Sequence, residues 1–275
     1  MKLSNKQKKI LITTTTLILA VLLTAFWIMF AYIEVNSSPL NEYRTYKGTQ
    51  IIAKNGDSKT HFKNTIEAFR TAVEDNNFDG IKTELRQTAD GVWVCSDTDT
   101  PFADKSIKIS KSFYKTLISL PLDVSGGSYN NENYYLASFD EYLNICSNQY
   151  KTAIIELQGN FKTENITDLS DYAVKTYSYE KVIFMSDDLK IIKSIKNASS
   201  FTKTLITCSS RLQAFCYAQM GYSVNFPKKK LSEKLIKRIH NKHNHVCVSN
   251  VANDQTTHNN YTSMYVDYII VSTHT

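Results

Sequence analysis

The chain has 275 residues, 42% hydrophobic and 21% charged, enough for one substantial core. Its formal net charge is +6, but Lys2, Lys6, Lys8 and Lys9 supply four of those charges ahead of Ile10 and leave the rest near +2. That excess is too small to argue for nucleic acid, and no recognition motif accompanies it. Five cysteines, an odd number set in apolar runs without zinc spacing, read as buried thiols and not as a disulfide framework.

From Ile10 to Ile33 there are 24 residues without a charge, sufficient to cross a bilayer core of about 30 Å at about 1.5 Å per residue. Lysines precede the stretch and Glu34 follows it. The positive-inside bias therefore predicts residues 1–9 in the cytoplasm, 10–33 as a single-pass anchor in the cell membrane, and the remainder outside. A cleaved signal peptide is the alternative, although such a peptide has an apolar region of about 7–15 residues and a small-residue cleavage site, and no convincing site follows Tyr32. Residues 34–48, with Asn36-Ser37-Ser38-Pro39, read as a polar linker.

Beyond the linker, short apolar strands alternate with helix-length segments. Gln50-Ile51-Ile52-Ala53-Lys54-Asn55-Gly56 reads as a buried strand ending in a glycine turn, followed by a helix around Ile66 to Glu74 and a second strand, Gly80 to Leu85. The turn Thr88-Ala89-Asp90-Gly91 leads into Val92 to Asp97, with Trp93 expected in the core. A long excursion over 98–150 carries a predicted helix at Lys111 to Ser119, a Gly126-Gly127 turn and a helix start at Ser138-Phe139-Asp140-Glu141. Tyr129, Tyr134 and Tyr135 crowd it, a composition that fits ordinary loop packing or stacking on polyols. Further strands are predicted at Ala153–Leu157, Val182–Met185, Thr204–Ile206, Ser223–Asn225, Val246–Ser249 and Tyr268–Val271. Leu231, Leu235, Ile236 and Ile239 form one helical face, and Lys228-Lys229-Lys230 reads as a solvated loop or a contact with an anionic surface. Such alternation predicts a parallel sheet. The 227 residues from 49 to 275 approach the roughly 250 of a (β/α)8 barrel.

The consecutive elements, Asn64-Thr65-Ile66-Glu67-Ala68-Phe69 helix, Asp79-Gly80-Ile81 strand and Thr88-x-Asp90-Gly91-Val92 turn, resemble the glycerophosphodiester phosphodiesterases. The resemblance runs from about residue 49 to 274 and implies a TIM (β/α)8 barrel over 49–275, with 98–150 inserted between its second and third strands. It also implies a site at the C-terminal strand ends, where the barrel places its chemistry. Those ends carry Lys54, Lys82, Glu84, Glu156 and Gln158. Lys82 and Glu84, two apart on one strand, leave the same face and converge with Glu156 from the next.

The family uses two histidines for proton transfer and a divalent cation held by carboxylates. At its His-Arg-Gly this chain has Lys54-Asn55-Gly56, and at its second histidine Asp97. Its Glu-x-Asp metal pair corresponds to Lys82-Thr83-Glu84, and its Glu-Ile-Lys run to Glu156-Leu157-Gln158. No catalytic position (Lys54, Asn55, Asp97, Gln158) is intact, and the metal set reduces to Glu84 and Glu156, with Lys82 in place of the third ligand. An ammonium there is expected to replace the metal by an internal ion pair, so no cofactor is expected; calcium or magnesium is implied only for an active site. Lys54, Asn55, His61 and Lys82 remain to bind phosphate.

The expected function is an extracytoplasmic, membrane-anchored domain without effective catalysis that keeps a phosphate- or polyol-sized pocket for a glycerol-phosphate ligand or cell-surface polymer. The alternative is a working phosphoric diester hydrolase on glycerophosphodiesters or polyglycerol phosphate, with His61 or Asp97 substituting; a third is a structural ectodomain with no ligand. His240, His243 and His245, at a helix-to-strand connection, are expected to be solvated surface.

Overall fold

In the computed structural model the residues described are 4–37, 47–125, 129, 133–227 and 231–273. The Gly126-Gly127 turn, the Lys228-Lys229-Lys230 run and most of the expected linker lie outside them. The N-terminal helix α1 (Asn5–Ser37) is one continuous element. Its segment Asn5–Phe30 is long and apolar enough to cross a membrane, a property shared by signal sequences, and none of it is buried against the rest of the chain.

Eight parallel strands close into a barrel: β1 (Gln50–Lys54), β2 (Gly80–Gln87), β4 (Thr152–Leu157), β5 (Val182–Ser186), β6 (Lys203–Thr207), β7 (Ser223–Pro227), β8 (Val246–Ala252) and β9 (Tyr268–Ser272). Closure comes from β1, which pairs with β2 on one side and β9 on the other. The short β3 (Trp93–Cys95) lies antiparallel to the far end of β2. The crossovers are α2 (Ile66–Glu74), α5 (Thr163–Thr176), α6 (Leu189–Ala198), α7 (Arg211–Gln219), α8 (Glu233–His240) and α9 (Gln255–Ser263). The insertion contributes α3 (Tyr114–Leu117), and α4 (Phe139–Asn148) is the crossover that returns the chain to β4.

Period-two patterning assigns the strand side chains to two cores. Ile52, Ile154, Ile183, Met185, Leu205, Cys247, Tyr268 and Ile270 fill the barrel interior. Their neighbours, among them Ala53, Ile81, Ile155, Phe184, Val224 and Ile269, face the helices. Helix starts are set by their caps: Thr65 accepts from the Ala68 amide, and Ser138 and Glu141 form a reciprocal capping box. Two glycines are sterically required. A Cβ on Gly80 would lie 2.2 Å from the Thr152 carbonyl oxygen, and one on Gly56, where φ is +82°, would lie 2.6 Å from the Ala68 backbone.

Three expectations need correction. The helix expected over Lys111–Ser119 is a 3-10 turn (Ile109–Lys111) followed by the single turn of α3. Leu117 and Ile109 anchor it to a separate small core with Val94, Phe102, Leu122, Tyr134 and Leu136, so packing and not helix propensity shapes the segment. Trp93 packs against the main core but is only half-buried, its ring 5.0 Å from that of Phe161. The histidines His240 and His245 are not solvated surface. His240 is fully buried, and the two rings donate to opposite oxygens of buried Asp267 at 2.8 and 3.0 Å, while the Val246 amide adds a third bond at 2.7 Å. Burial opposes ionisation of Asp267, but these bonds outweigh it and hold its pKa below the ordinary carboxylate value.

Candidate active site

The parallel register makes Glu84 and Glu156 direct neighbours on β2 and β4, and places Lys82 beside Lys54 of β1 and Ile154 of β4. Lys82 therefore starts one layer below the two carboxylates on the same inward face, and its long side chain reaches up between them. Its ammonium forms ion pairs with Glu84 Oε1 and Glu156 Oε2, all three side chains being buried. The remaining oxygens are also occupied: Asn64 Nδ2 donates to Glu84 Oε2 at 3.3 Å, and Gln158 Nε2 donates to Glu156 Oε1 at 2.7 Å. Each carboxylate oxygen thus has its own donor, as buried charge requires.

Burial by itself favours the neutral amine of Lys82. Attraction to Glu84 and Glu156, with their hydrogen bonds, exceeds that penalty and raises its pKa above the ordinary lysine value. One ammonium and two carboxylates leave the buried trio with a single net negative charge. A divalent cation does not fit this donor set, because both of its carboxylates already face a fixed cation. No group of three or more His, Cys, Asp or Glu side chains suited to a metal occurs among the described residues.

Above the trio opens a mouth of about 250 Å³, lined by Lys54, Lys82, Glu84, Glu156 and Gln158 together with Thr207, Asn225, Ser249 and Asn250. The Lys54 ammonium donates to Asn250 Oδ1 at 3.2 Å. Asn250 has φ of 58° and sits at an irregularity in the β8–β9 pairing, which turns its side chain into the mouth. Asn225, 2% exposed, donates to Thr207 at 3.1 Å, whereas its Oδ1 has no hydrogen-bond partner. Next to the mouth, and sharing Gln158 with it, lies a cleft of about 470 Å³ whose walls include Arg86, Asn160, Phe161, Lys162 and Asn165.

The other site residues picked from the sequence fall elsewhere. Asp97 pairs with Lys63 and lines a separate cavity of about 150 Å³. His61 stands beside the insertion, its Nδ1 3.4 Å from the Tyr134 hydroxyl. Asn55 is buried, its amide bonded to the Lys82 carbonyl at 2.7 Å and its carbonyl accepting from the Asn64 amide at 2.9 Å, so its backbone braces the turn above Lys82. Asn64, whose side chain also accepts from Thr83 at 2.8 Å, was not among the residues picked as ligands, nor were Thr207, Asn225, Ser249 and Asn250. The detectable clue was position: Thr207, Asn225 and Ser249 fall in inward register at the C-terminal ends of predicted strands.

The barrel is similar in fold to solved glycerophosphodiester phosphodiesterase structures. An enzyme of that class from Parabacteroides distasonis shares 20% identity, with 82% of this chain and 92% of that one covered at a TM-score of 0.65. The Thermotoga maritima glycerophosphodiester phosphodiesterase shares 19%, covering 81% and 94% at 0.63. An Oleispira antarctica phosphodiesterase, solved with the product sn-glycerol-3-phosphate, shares 15%, covering 82% and 93% at 0.68. No protein-family model and no curated protein matches the sequence. At these identities the likeness is one of fold.

Proposed function

We propose that the chain is a membrane-anchored, extracytoplasmic member of the glycerophosphodiester phosphodiesterase family in which a lysine ion pair has replaced the metal centre, leaving a binding module for glycerol-phosphate groups. The observation that carries this reading is the Lys82 ammonium held between Glu84 and Glu156. Three carboxylates around a dication, the set implied by the family motif, carry one net negative charge. So does the trio here. The substitution conserves the charge of the buried site while removing the Lewis acid.

The mouth supports binding in its own right. Its volume lies below the roughly 300 Å³ at which drug-sized clefts begin, and its walls carry the Lys54 cation and several amide and hydroxyl groups, suited to a phosphate and a short polyol. The neighbouring cleft, with the cations Arg86 and Lys162, offers a second anionic unit a place and so favours a cell-surface polymer of glycerol phosphate over a single small molecule. In the membrane reading, residues 10–33 of α1 are the anchor and the lysines ahead of Ile10 remain cytoplasmic. The competing hydrolase gains little support: Asp97 is engaged by Lys63, and neither His61 nor Asp97 lines the mouth.

The decisive experiment incubates the purified chain with a glycerophosphodiester and with polyglycerol phosphate, with calcium, magnesium or chelator, and measures binding of both by calorimetry. Binding without turnover is expected. Metal-dependent turnover abolished by Glu156→Gln would establish the hydrolase instead.

A further inference from the structure

At the end of the barrel opposite the mouth, the helix-to-strand loops expose a ring of large apolar side chains. Outside α1, nine large hydrophobic residues are exposed among the described residues, and five belong to this floor: Tyr150 (60%), Tyr179 (54%), Phe201 (80%), Met220 (54%) and Tyr265 (38%). Each comes from a different loop, following α4, α5, α6, α7 and α9 in turn. Apolar exposure gathered on one face of a soluble domain marks an interaction surface.

Backbone geometry supplies an independent observation. The loops after α4, α7, α8 and α9 end their helices identically, with a left-handed residue followed by an amide bonded back five residues: Lys151 to Cys146, Tyr222 to Tyr217, Asn244 to Ile239 and Val266 to Tyr261, at 2.9–3.3 Å. The left-handed position favours glycine. Gly221 occupies it after α7, yet Tyr150, His243 and Tyr265 hold it elsewhere, with φ of 51°, 59° and 64°. Two tyrosines thus stand where the backbone alone would select glycine or asparagine.

Cations interleave with the aromatics. Lys47, Lys151, Lys181, Lys203 and Lys242 sit at this end; Lys151 and Lys203 donate to the Phe78 and Glu180 carbonyls at 2.6 Å, and Lys181 places its ammonium 4.4 Å from the centre of the Tyr150 ring. Of the acids there, Asp267 is enclosed by its histidines, Asp79 accepts from the Ile51 amide and Asp75 from Asn77, each at 2.8 Å, leaving Glu74, at the end of α2, and Glu180 to oppose the lysines. Aromatic rings alternating with lysines form the composition of a bilayer interface.

The chain enters the barrel on the same face. β1 begins there at Gln50, separated from the end of α1 at Ser37 by 12 residues, a reach of at most about 40 Å. Resting on the reading of α1 as an anchor, we infer that the barrel floor docks on the anionic phospholipid surface of the membrane that α1 crosses. Tyr150, Tyr179, Phe201, Met220 and Tyr265 enter the headgroup layer, and Lys47, Lys181 and Lys242 face lipid phosphates. The mouth then opens away from the bilayer, so its ligand arrives from the solvent side, as a surface polymer or soluble diester does, and not as a lipid in the same membrane.

Hydrogen exchange on the full chain tests this, comparing detergent, phosphatidylcholine nanodiscs and phosphatidylglycerol nanodiscs. Exchange of segments 149–151, 178–181, 199–203 and 264–266 is expected to slow at least fivefold in phosphatidylglycerol, less in phosphatidylcholine, with mouth segments 55–64 and 158–162 unchanged. The triple variant Tyr179→Ser, Phe201→Ser, Lys181→Glu is expected to lose that protection at an unaltered melting temperature. Equal exchange in all three settings, or protection of the mouth segments instead, overturns the inference. Carbonate extraction separates the two readings: a chain that resists extraction but shows no floor protection refutes docking alone, whereas an extractable chain with floor protection on phosphatidylglycerol refutes the anchor and keeps the docking surface.

Discussion

Glu84 and Glu156 are register partners on adjacent parallel strands, and the Lys82 ammonium joins one oxygen of each. Two buried carboxylates in this position repel one another unless a cation lies between them or one of them takes up a proton. Here a cation that is covalently part of the chain relieves the pair.

Removing it has a defined consequence. Lys82→Met is expected to destabilise the barrel by roughly 3–5 kcal/mol at pH 7, because it strands two buried charges. Chemical denaturation at pH 7 and pH 4.5 checks this. The loss is expected to shrink at the lower pH, where the stranded carboxylates take up protons.

The alkaline limb follows from the direction of the Lys82 shift. Its folded pKa is raised above 10.5, so its contribution is fully present below pH 10.5 and is lost as the pH climbs through the folded value. Wild type is expected to lose stability above that point more steeply than Lys82→Met, as measured by urea midpoints between pH 9 and 12.

Asp267 governs the opposite limb. Its folded pKa lies below 3.8, so the clasp with His240 and His245 adds stability above pH 3.8 that is lost as the pH falls through the folded value. Asp267→Asn is expected to cost roughly 1–3 kcal/mol at neutral pH and to flatten the acid transition of a melting-temperature series from pH 2 to 5.

Metal response distinguishes the ion pair from an inherited cation site. Millimolar calcium or magnesium is expected to leave the wild-type melting temperature unchanged. Lys82→Glu, which restores a third acid, is expected to melt lower without metal and to recover with calcium, by linkage to binding. Stabilisation of the wild type at sub-millimolar metal would count against the ion-pair reading.

Ligand binding at the mouth is tested through Lys54, which donates to Asn250 at the rim. Lys54→Met removes one charge-assisted donor, worth roughly 1.5–3 kcal/mol. Affinity for sn-glycerol 3-phosphate, measured by calorimetry, is expected to fall about tenfold or more, with the melting temperature retained.

Much of this was legible in the linear chain. Strand alternation, the Gly56 turn, the Ser138 cap and the closeness of Lys82 to Glu84 are local properties, because side-chain period and backbone sterics depend on nearby residues alone. The family motif supplied the position of Glu156. What only the tertiary structure decided are relations between distant strands. Closure brings Asn64 and Gln158 to the outer oxygens of the two glutamates, carries Asp97 to Lys63 in a cleft of its own, and pulls His240 and His245 inward to Asp267. Gathering the exposed rings of five separate loops onto one face is likewise a product of the closed barrel, since each is unremarkable within its own loop. A charge's partner across a barrel is set by register and closure, and neither is written in any single segment.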